Sequence, residues 1–237
     1  MKNNKVVANF FWDKKKINLF EYCYLKSFVK NNFKVNLYSF EKIKLPKNVI
    51  LKDASKILKK NEMKKFIHQG VKGCPAAFAD KFRVELMKKT RGWWFDMDML
   101  CLKKASEFKK LEKNEIIIGL ETDNYINNAV LKISDFSFLK KISNEINKKG
   151  YVIKWGDIGP KLITKLLKEE QIDFRLTKSW FKKYGVTHGT TATDWVSKDL
   201  PRKNMEAYFR PSYKEIEHKN ISSIFLGYFQ ILLSRNL

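Results

Sequence analysis

Residues 5–40 read KVVANFFWDKKKINLFEYCYLKSFVKNNFKVNLYSF, and their periodicity decides the fold. KVVANFFW, residues 5–12, is a β-branched and aromatic run of the kind that fills a buried strand. Residues 16–31 then carry Ile17, Phe20, Tyr24, Leu25 and Phe28 at helical spacing, which gives one apolar face. FKVNLYSF, residues 33–40, alternates as a second strand. Strand, helix, strand is the opening of an α/β chain with a mostly parallel central sheet and flanking helices. Two parallel strands need a crossover between them, and the helix supplies it.

The pattern extends downstream. PAAFADKFRVELMKKT, residues 75–90, predicts a helix with Pro75 in its first turn, where a missing N–H costs nothing. Phe78, Phe82 and Leu86 form its buried stripe, and Asp80 and Arg83 lie together on another face. Residues 41–74 are lysine-rich and predict a loop with a short helix near 54–60. NEIIIGLE, 114–121, predicts a strand, and NYINNAVLKIS, 124–134, runs into a helix at about 135–149. Gly159-Pro160 opens a helix inside 156–170. Asp157 either faces a substrate or caps that helix, and the cap is the simpler reading. YGVTHGTTATDW, 184–195, predicts a loop. There is no internal repeat, low-complexity linker or domain boundary, so residues 1–237 read as a single domain.

Composition narrows the function. A 44% hydrophobic and 14% aromatic chain is a folded globular protein. Cys23, Cys74 and Cys101 form no CxxC pair, which argues against a disulfide framework and cysteine-bound zinc. No secretory leader is visible. The longest apolar run, ISSIFLGYFQILL at 221–233, is short of the ~20 residues that span a bilayer. It fits an amphipathic C-terminal helix at 219–235, which either packs on the core or rests on a membrane surface. The expected location is the cytoplasm, with peripheral contact at the inner face of the membrane. The net charge of +23 comes from 42 lysines against 6 arginines, spread along the chain. Nucleic-acid recognition favours clustered arginine forks. Compositional drift explains the excess better, with an anionic membrane or glycan as the next reading. No nucleic-acid partner is expected.

RGWWFDMDMLCLK, residues 91–103, places Asp96 and Asp98 in an apolar segment. In a strand, side chains i and i+2 share a side, so both acids face one way while Phe95, Met97 and Met99 face the other. Two carboxylates on one side repel unless a cation lies between them. A hard divalent ion, Mn2+ or Mg2+, suits such oxygen ligands and shares its shell readily with a diphosphate. The bland alternative pairs one aspartate with Lys103, Lys104 or Arg91 and leaves the other in water.

The wider block ADKFRVELMKKTRGWWFDMDML, residues 79–100, resembles the signature of DXD-containing sugar transferases, roughly A-D-x-x-R, a leucine, then G-G-x-Y-x-D-x-D. That family includes alpha-1,4-galactosyltransferases, fungal initiating mannosyltransferases, bacterial capsule and lipopolysaccharide enzymes and the glucosyltransferase domain of clostridial toxins. ANFFWDKKK at 8–16, INNAVL at 126–131, IGPKLIT at 158–164 and FRP at 209–211 are similar to other parts of the family, in the same order. Arg91 stands for the first glycine and Trp94 for the tyrosine. Where the family has a late histidine this chain has Leu226, with His218 as the candidate substitute.

The resemblance implies a GT-A-type fold and a metal-dependent transfer, with retention of configuration, from a UDP- or GDP-sugar to a glycan or lipid-linked acceptor. Surface polysaccharide or lipopolysaccharide synthesis would be its setting. It also implies roles. Trp12 would stack on the donor base. Asp80 and Arg83 would bind the donor's ribose and sugar hydroxyls or its phosphate, with Arg83 counted in the catalytic set. Asp96 would contact the ribose or a metal-bound water, Asp98 the metal, and His218 is a further metal candidate. Asn127 and Asn128 would meet the donor sugar or the acceptor. The competing classes are a basic nucleic-acid-binding protein or metal-dependent nuclease, and an inactive glycan-binding relative.

Overall fold

In the computed structural model, residues 5–172 are described apart from 69, 91, 102 and 123, together with 186–188. The β-α-β opening is present as β1 (Val7–Trp12), α1 (Leu19–Lys30) and β2 (Lys34–Ser39), with β1 and β2 paired in parallel. α1 starts later than its apolar spacing suggests, because Asn18 and Glu21 form a reciprocal capping box. Ile17 therefore lies before the helix.

Residues 41–74 are more structured than expected. They contain β3 (Val49–Asp53), a single 3-10 turn (Ala54–Lys56), α2 (Lys60–Lys65) and the short strands β4 (Ile67–His68) and β5 (Val71–Lys72). The short helix thus lies at 60–65, not 54–60. β3 lies at the sheet's edge and leaves Ile50 and Leu51 exposed, so its sequence shows no alternation to read. α3 (Pro75–Thr90) runs over the predicted helix, with Phe78, Phe82 and Leu86 buried.

The expected strand over WWFDMDMLCL is broken. β6 (Trp93–Phe95) and β7 (Met99–Cys101) flank a turn at Asp96–Asp98, closed by the Met99 N–H donating to the Asp96 carbonyl at 3.2 Å. The alternation survives the break. Phe95, Met97 and Met99 enter the core, while Asp96 and Asp98 stay half-buried.

After α4 (Ala105–Leu111) come β8 (Ile116–Thr122), β9 (Tyr125–Ile133), α5 (Phe136–Lys149), β10 (Val152–Ile153) and α6 (Pro160–Glu169). β11 (Val186–His188) falls inside the predicted 184–195 loop and pairs antiparallel with β7. The main sheet has the order β3-β2-β1-β6-β9-β8. Only β9 runs against the others. β10, β4 and β5 form a small second sheet.

Two cores lie on the two faces of the main sheet. Alternation along β1 puts Phe11 in one and Phe10 in the other. Phe11, Trp94 and Leu131 pack with residues of α3, α5 and α6. Phe10, Trp93 and Phe95 pack with Phe28 of α1 and Phe108 of α4. This is the helix-on-both-faces α/β architecture that the first 40 residues predict.

The order also fixes where a ligand can sit. From β1 the chain winds outward to β2 and β3, then returns to place β6 on β1's other side. Between β1 and β6 the winding reverses, and crevices open at the carboxyl ends of strands at such a point.

Candidate active site

Trp12 ends β1, and the Asp96–Asp98 turn follows β6. Since Ala8 and Asn9 lie beside Trp93 and Trp94 in parallel register, both elements emerge at the same edge. β9 runs the other way, so its first residues reach that edge too. The Asp96 N–H donates to the Ala129 carbonyl at 2.9 Å, and Asn127 and Asn128 precede it. The structure thus brings Trp12, Asp96, Asp98, Asn127 and Asn128 to the switch point, and α3 adds Asp80 and Arg83.

Arg83 is the hub. Only 4% of it is exposed, although it is an arginine. Its guanidinium lies 3.1 Å from Asp80 Oδ1 and 3.3 Å from Asp96 Oδ1. It also donates to the carbonyls of Ala79, at 3.2 Å, and Asn128. The indole of Trp94 lies 4.9 Å from the guanidinium carbon, a cation–π arrangement. That indole's N–H donates to Asp96 Oδ1 at 2.7 Å. One buried cation therefore bridges the helix aspartate and the first aspartate of the turn. Such a group sets geometry, since its donors are already engaged.

Asp80 sits on the other side of this hub. Its Oδ1 also accepts from Asn128 Nδ2 at 2.8 Å. Desolvation pushes its pKa up, and Asp96 adds to the rise. Arg83 and the Asn128 hydrogen bond pull it down. A raised carboxyl pKa means that the folded state takes up this proton before the unfolded chain does. Asp80's contribution to stability therefore falls as pH rises from its ordinary 3.8 through the raised value. Asp80→Asn is expected to flatten the urea-midpoint profile in that window, and an unchanged slope would assign the pH dependence elsewhere.

Gly159 explains itself here. It caps α6 without a side chain, and a Cβ at that position would meet Asp80 Oδ2 at 2.5 Å and Asn128 Nδ2 at 2.9 Å. The helix start is seated on the acidic network, which its Gly-Pro spelling does not reveal. Gly159→Ala is expected to cost ~1–3 kcal/mol in urea unfolding through overpacking. A neutral effect would mean that the network yields easily.

Asp157 does not cap α6. Its Oδ2 accepts from the Lys154 N–H at 3.0 Å and pairs with Lys149 at 3.1 Å, closing the turn before the helix. Glycine takes the cap because the carboxylate of Asp80 already fills the space above it. Asn127 Oδ1 accepts from the Ala129 N–H at 2.8 Å and shapes the irregular stretch of β9. Trp12 is half-buried, donates to the Lys16 carbonyl at 2.8 Å and has the Lys14 ammonium 5.2 Å from its ring centroid.

His218, Leu226, the 209–211 segment and the 219–235 helix lie outside the described residues, as does Arg91. No described helix is long and apolar enough to cross a membrane. Among the described residues no group of three or more His, Cys, Asp or Glu could hold a metal ion. A cation here would draw on the two turn aspartates and complete its shell from water, from a bound diphosphate or from residues outside the described set. That donor set fits a hard divalent ion held against a substrate, and does not fit an all-protein cage.

No protein-family model and no curated protein matches this chain. Among solved structures it is similar to "PaToxG Glycosyltransferase", at 12% identity and TM-score 0.48, over 87% of this chain and 76% of that one. It is also similar to mouse xyloside xylosyltransferase 1, at 13% identity and TM-score 0.41, over 86% and 93%. A third likeness is to "WbbM bifunctional glycosytransferase", at 9% identity and TM-score 0.40, over 90% of this chain and 45% of that one. At such identities and scores, the site's chemistry has to be read from its own residues.

Proposed function

We propose that this chain is a glycosyltransferase that moves a sugar from a nucleotide-sugar donor to a hydroxyl of a glycan or lipid-linked acceptor. The observation that carries the reading is the placement of the Asp96–Asp98 turn. It stands at the carboxyl end of β6, at the switch point, beside the tryptophan that ends β1 and over a buried arginine that fixes one of its acids.

Each part suits a nucleoside diphosphate sugar. The Trp12 indole offers a face to the base. Asp98, with Asp96 beside it, would hold Mn2+ or Mg2+ against the diphosphate. When bound, that ion withdraws electron density from the leaving phosphate. Arg83 and Trp94 orient the Asp96 carboxylate, so it need not reorganise when donor arrives. Asp80, Asn127 and Asn128 line the same edge, in reach of the donor's hydroxyls. The acceptor hydroxyl attacks the anomeric carbon, the bond to the diphosphate breaks, and the acceptor's proton leaves to base or solvent. Retention, a UDP or GDP donor, a role in surface polysaccharide or lipopolysaccharide synthesis and contact with the inner face of a membrane extend this reading.

The test is a panel of UDP- and GDP-sugars incubated with manganese, with release of the nucleoside diphosphate as readout. At least one donor is expected to be hydrolysed slowly without acceptor, and EDTA should stop it. No release and no binding across the panel would overturn the reading. Trp12→Ala should weaken donor binding by ~1–3 kcal/mol. Its half-buried ring should cost less stability than the ~3–5 kcal/mol of a core tryptophan. A large loss of melting temperature with unchanged donor affinity would make Trp12 a packing residue.

A further inference from the structure

Trp155 is 56% exposed, the largest exposed apolar side chain among the described residues. Leaving an indole in water forgoes hydrophobic stabilisation, and the surroundings hold it there firmly. The Tyr125 ring lies 6.4 Å away at 25°, a stacked arrangement. The Lys161 ammonium is 5.6 Å from the Trp155 centroid. The turn beneath is closed by the Asp157 N–H donating to the Lys154 carbonyl at 3.2 Å, and by the Asp157 carboxylate accepting from the Lys154 N–H. Gly156 follows at φ +77°, where a Cβ would meet Lys161 Cγ at 3.0 Å and the Tyr125 hydroxyl at 3.4 Å. Glycine is required there by both conformation and space.

This platform adjoins the active edge. Tyr125 opens the strand that carries Asn127 and Asn128. Trp155 precedes Gly159, which is packed on Asp80 and Asn128, by four residues, at most ~14 Å of chain. Thr164 of α6 accepts from the Ile126 N–H at 3.2 Å and locks the helix to that strand. Trp155 is thereby tied, by chain and by packing, to the residues of that edge.

We infer that Trp155, supported by Tyr125 and flanked by Lys161, is a saccharide subsite that binds the acceptor glycan. Pyranose rings present a face of C–H bonds with slight positive charge, and an indole face carries the complementary negative quadrupole. The exposed Lys161 ammonium, 5.6 Å from the ring centroid, is placed to pair with an anionic substituent. The inference rests on the glycosyltransferase reading for the word acceptor, and on the platform alone for saccharide binding.

The chain has six tryptophans, so 19F spectra of 5-fluorotryptophan-labelled full-length protein are simple. Loss of one line in Trp155→Phe assigns Trp155. The probes are maltotriose, chitotriose and 3′-sialyllactose, each titrated to ~10 mM, the range of weak single-ring stacking. At least one should shift the Trp155 line while the buried Trp93 and Trp94 lines stay in place. Trp155→Ala should then weaken that sugar about tenfold by saturation-transfer difference, and Trp155→Phe less. A Trp155 line unmoved by all three sugars overturns the inference, as does a sugar affinity left unchanged in Trp155→Ala. A line that moves with UDP or GDP alone also overturns it, because Trp155 would then serve the donor. Donor hydrolysis run alongside separates the two claims. Hydrolysis with a silent Trp155 sinks the subsite only, and a sugar-responsive Trp155 with neither release nor binding of any donor sinks the transferase reading only.

Discussion

Arg83→Ala is expected to destabilise the fold by ~3 kcal/mol, because it breaks a buried ion-pair network. The guanidinium stands between Asp80 and Asp96, at 3.1 and 3.3 Å. Removing it leaves two like charges facing each other, with the side chains of Asp80 and Asp96 only 16% and 29% exposed. It also strips a donor from the Ala79 and Asn128 carbonyls and a cation from the face of Trp94. Partial exposure lets water reach Asp96, which keeps the estimate at the lower end for a broken buried pair. Arg83→Lys should recover part of the loss, because one ammonium restores charge but cannot span both carboxylates and two carbonyls. Urea unfolding at neutral pH measures this, with the m-value unchanged. A cost under ~1 kcal/mol would class the hub with ordinary surface pairs. Adding Asp80→Asn to Arg83→Ala should return stability, since it removes one of the two stranded charges.

Much of this was legible in the sequence, and the limits have physical causes. The β-α-β opening and α3 are spelled by dense apolar periodicity, and the structure follows them closely. β3 was illegible because an exposed edge strand has no buried side to pattern. The turn at Asp96–Asp98 was hidden by its own alternation, since a turn that keeps the core-facing order of Phe95, Met97 and Met99 looks like a strand. The gathering of Trp12, Asp96 and Asp98 at one edge follows from parallel strand order, which the opening motif implies, whereas Asn127 and Asn128 reach it because β9 runs the other way. The hub does not follow. Asp80 and Arg83 read as a helix-face pair at i,i+3 spacing, and only the fold reveals that the same arginine reaches Asp96 and Asn128. Nor does Gly159, whose space is occupied by a carboxylate 79 positions earlier in the chain. Glycine there is a packing requirement across the fold.

Asp98→Asn is expected to lower donor hydrolysis by ~100-fold or more while leaving the fold in place. A ~100-fold loss is ~2.7 kcal/mol of transition-state stabilisation, the scale of one removed electrostatic contact to a leaving group. The substitution is nearly isosteric and takes away a single negative charge. The two aspartates differ in what surrounds them. Asp96 is held by Arg83 and by the Trp94 indole, so Asp96→Asn disturbs structure and chemistry together. Asp98 sits at the end of the turn, half-buried, between Met97 and Met99, whose side chains enter the core and anchor the backbone on either side. That makes Asp98 the cleaner probe. Its asparagine variant should unfold at the same urea concentration as the parent, and raising manganese should restore part of the rate, because a weakened hard-ion site fills at higher concentration. A structural role predicts the opposite pattern, a lower urea midpoint and no response to manganese. If Asp98→Asn and Asp96→Asn both hydrolyse donor at the parental rate in manganese, the turn holds no metal, and the DxD reading fails even if the chain proves to transfer sugars.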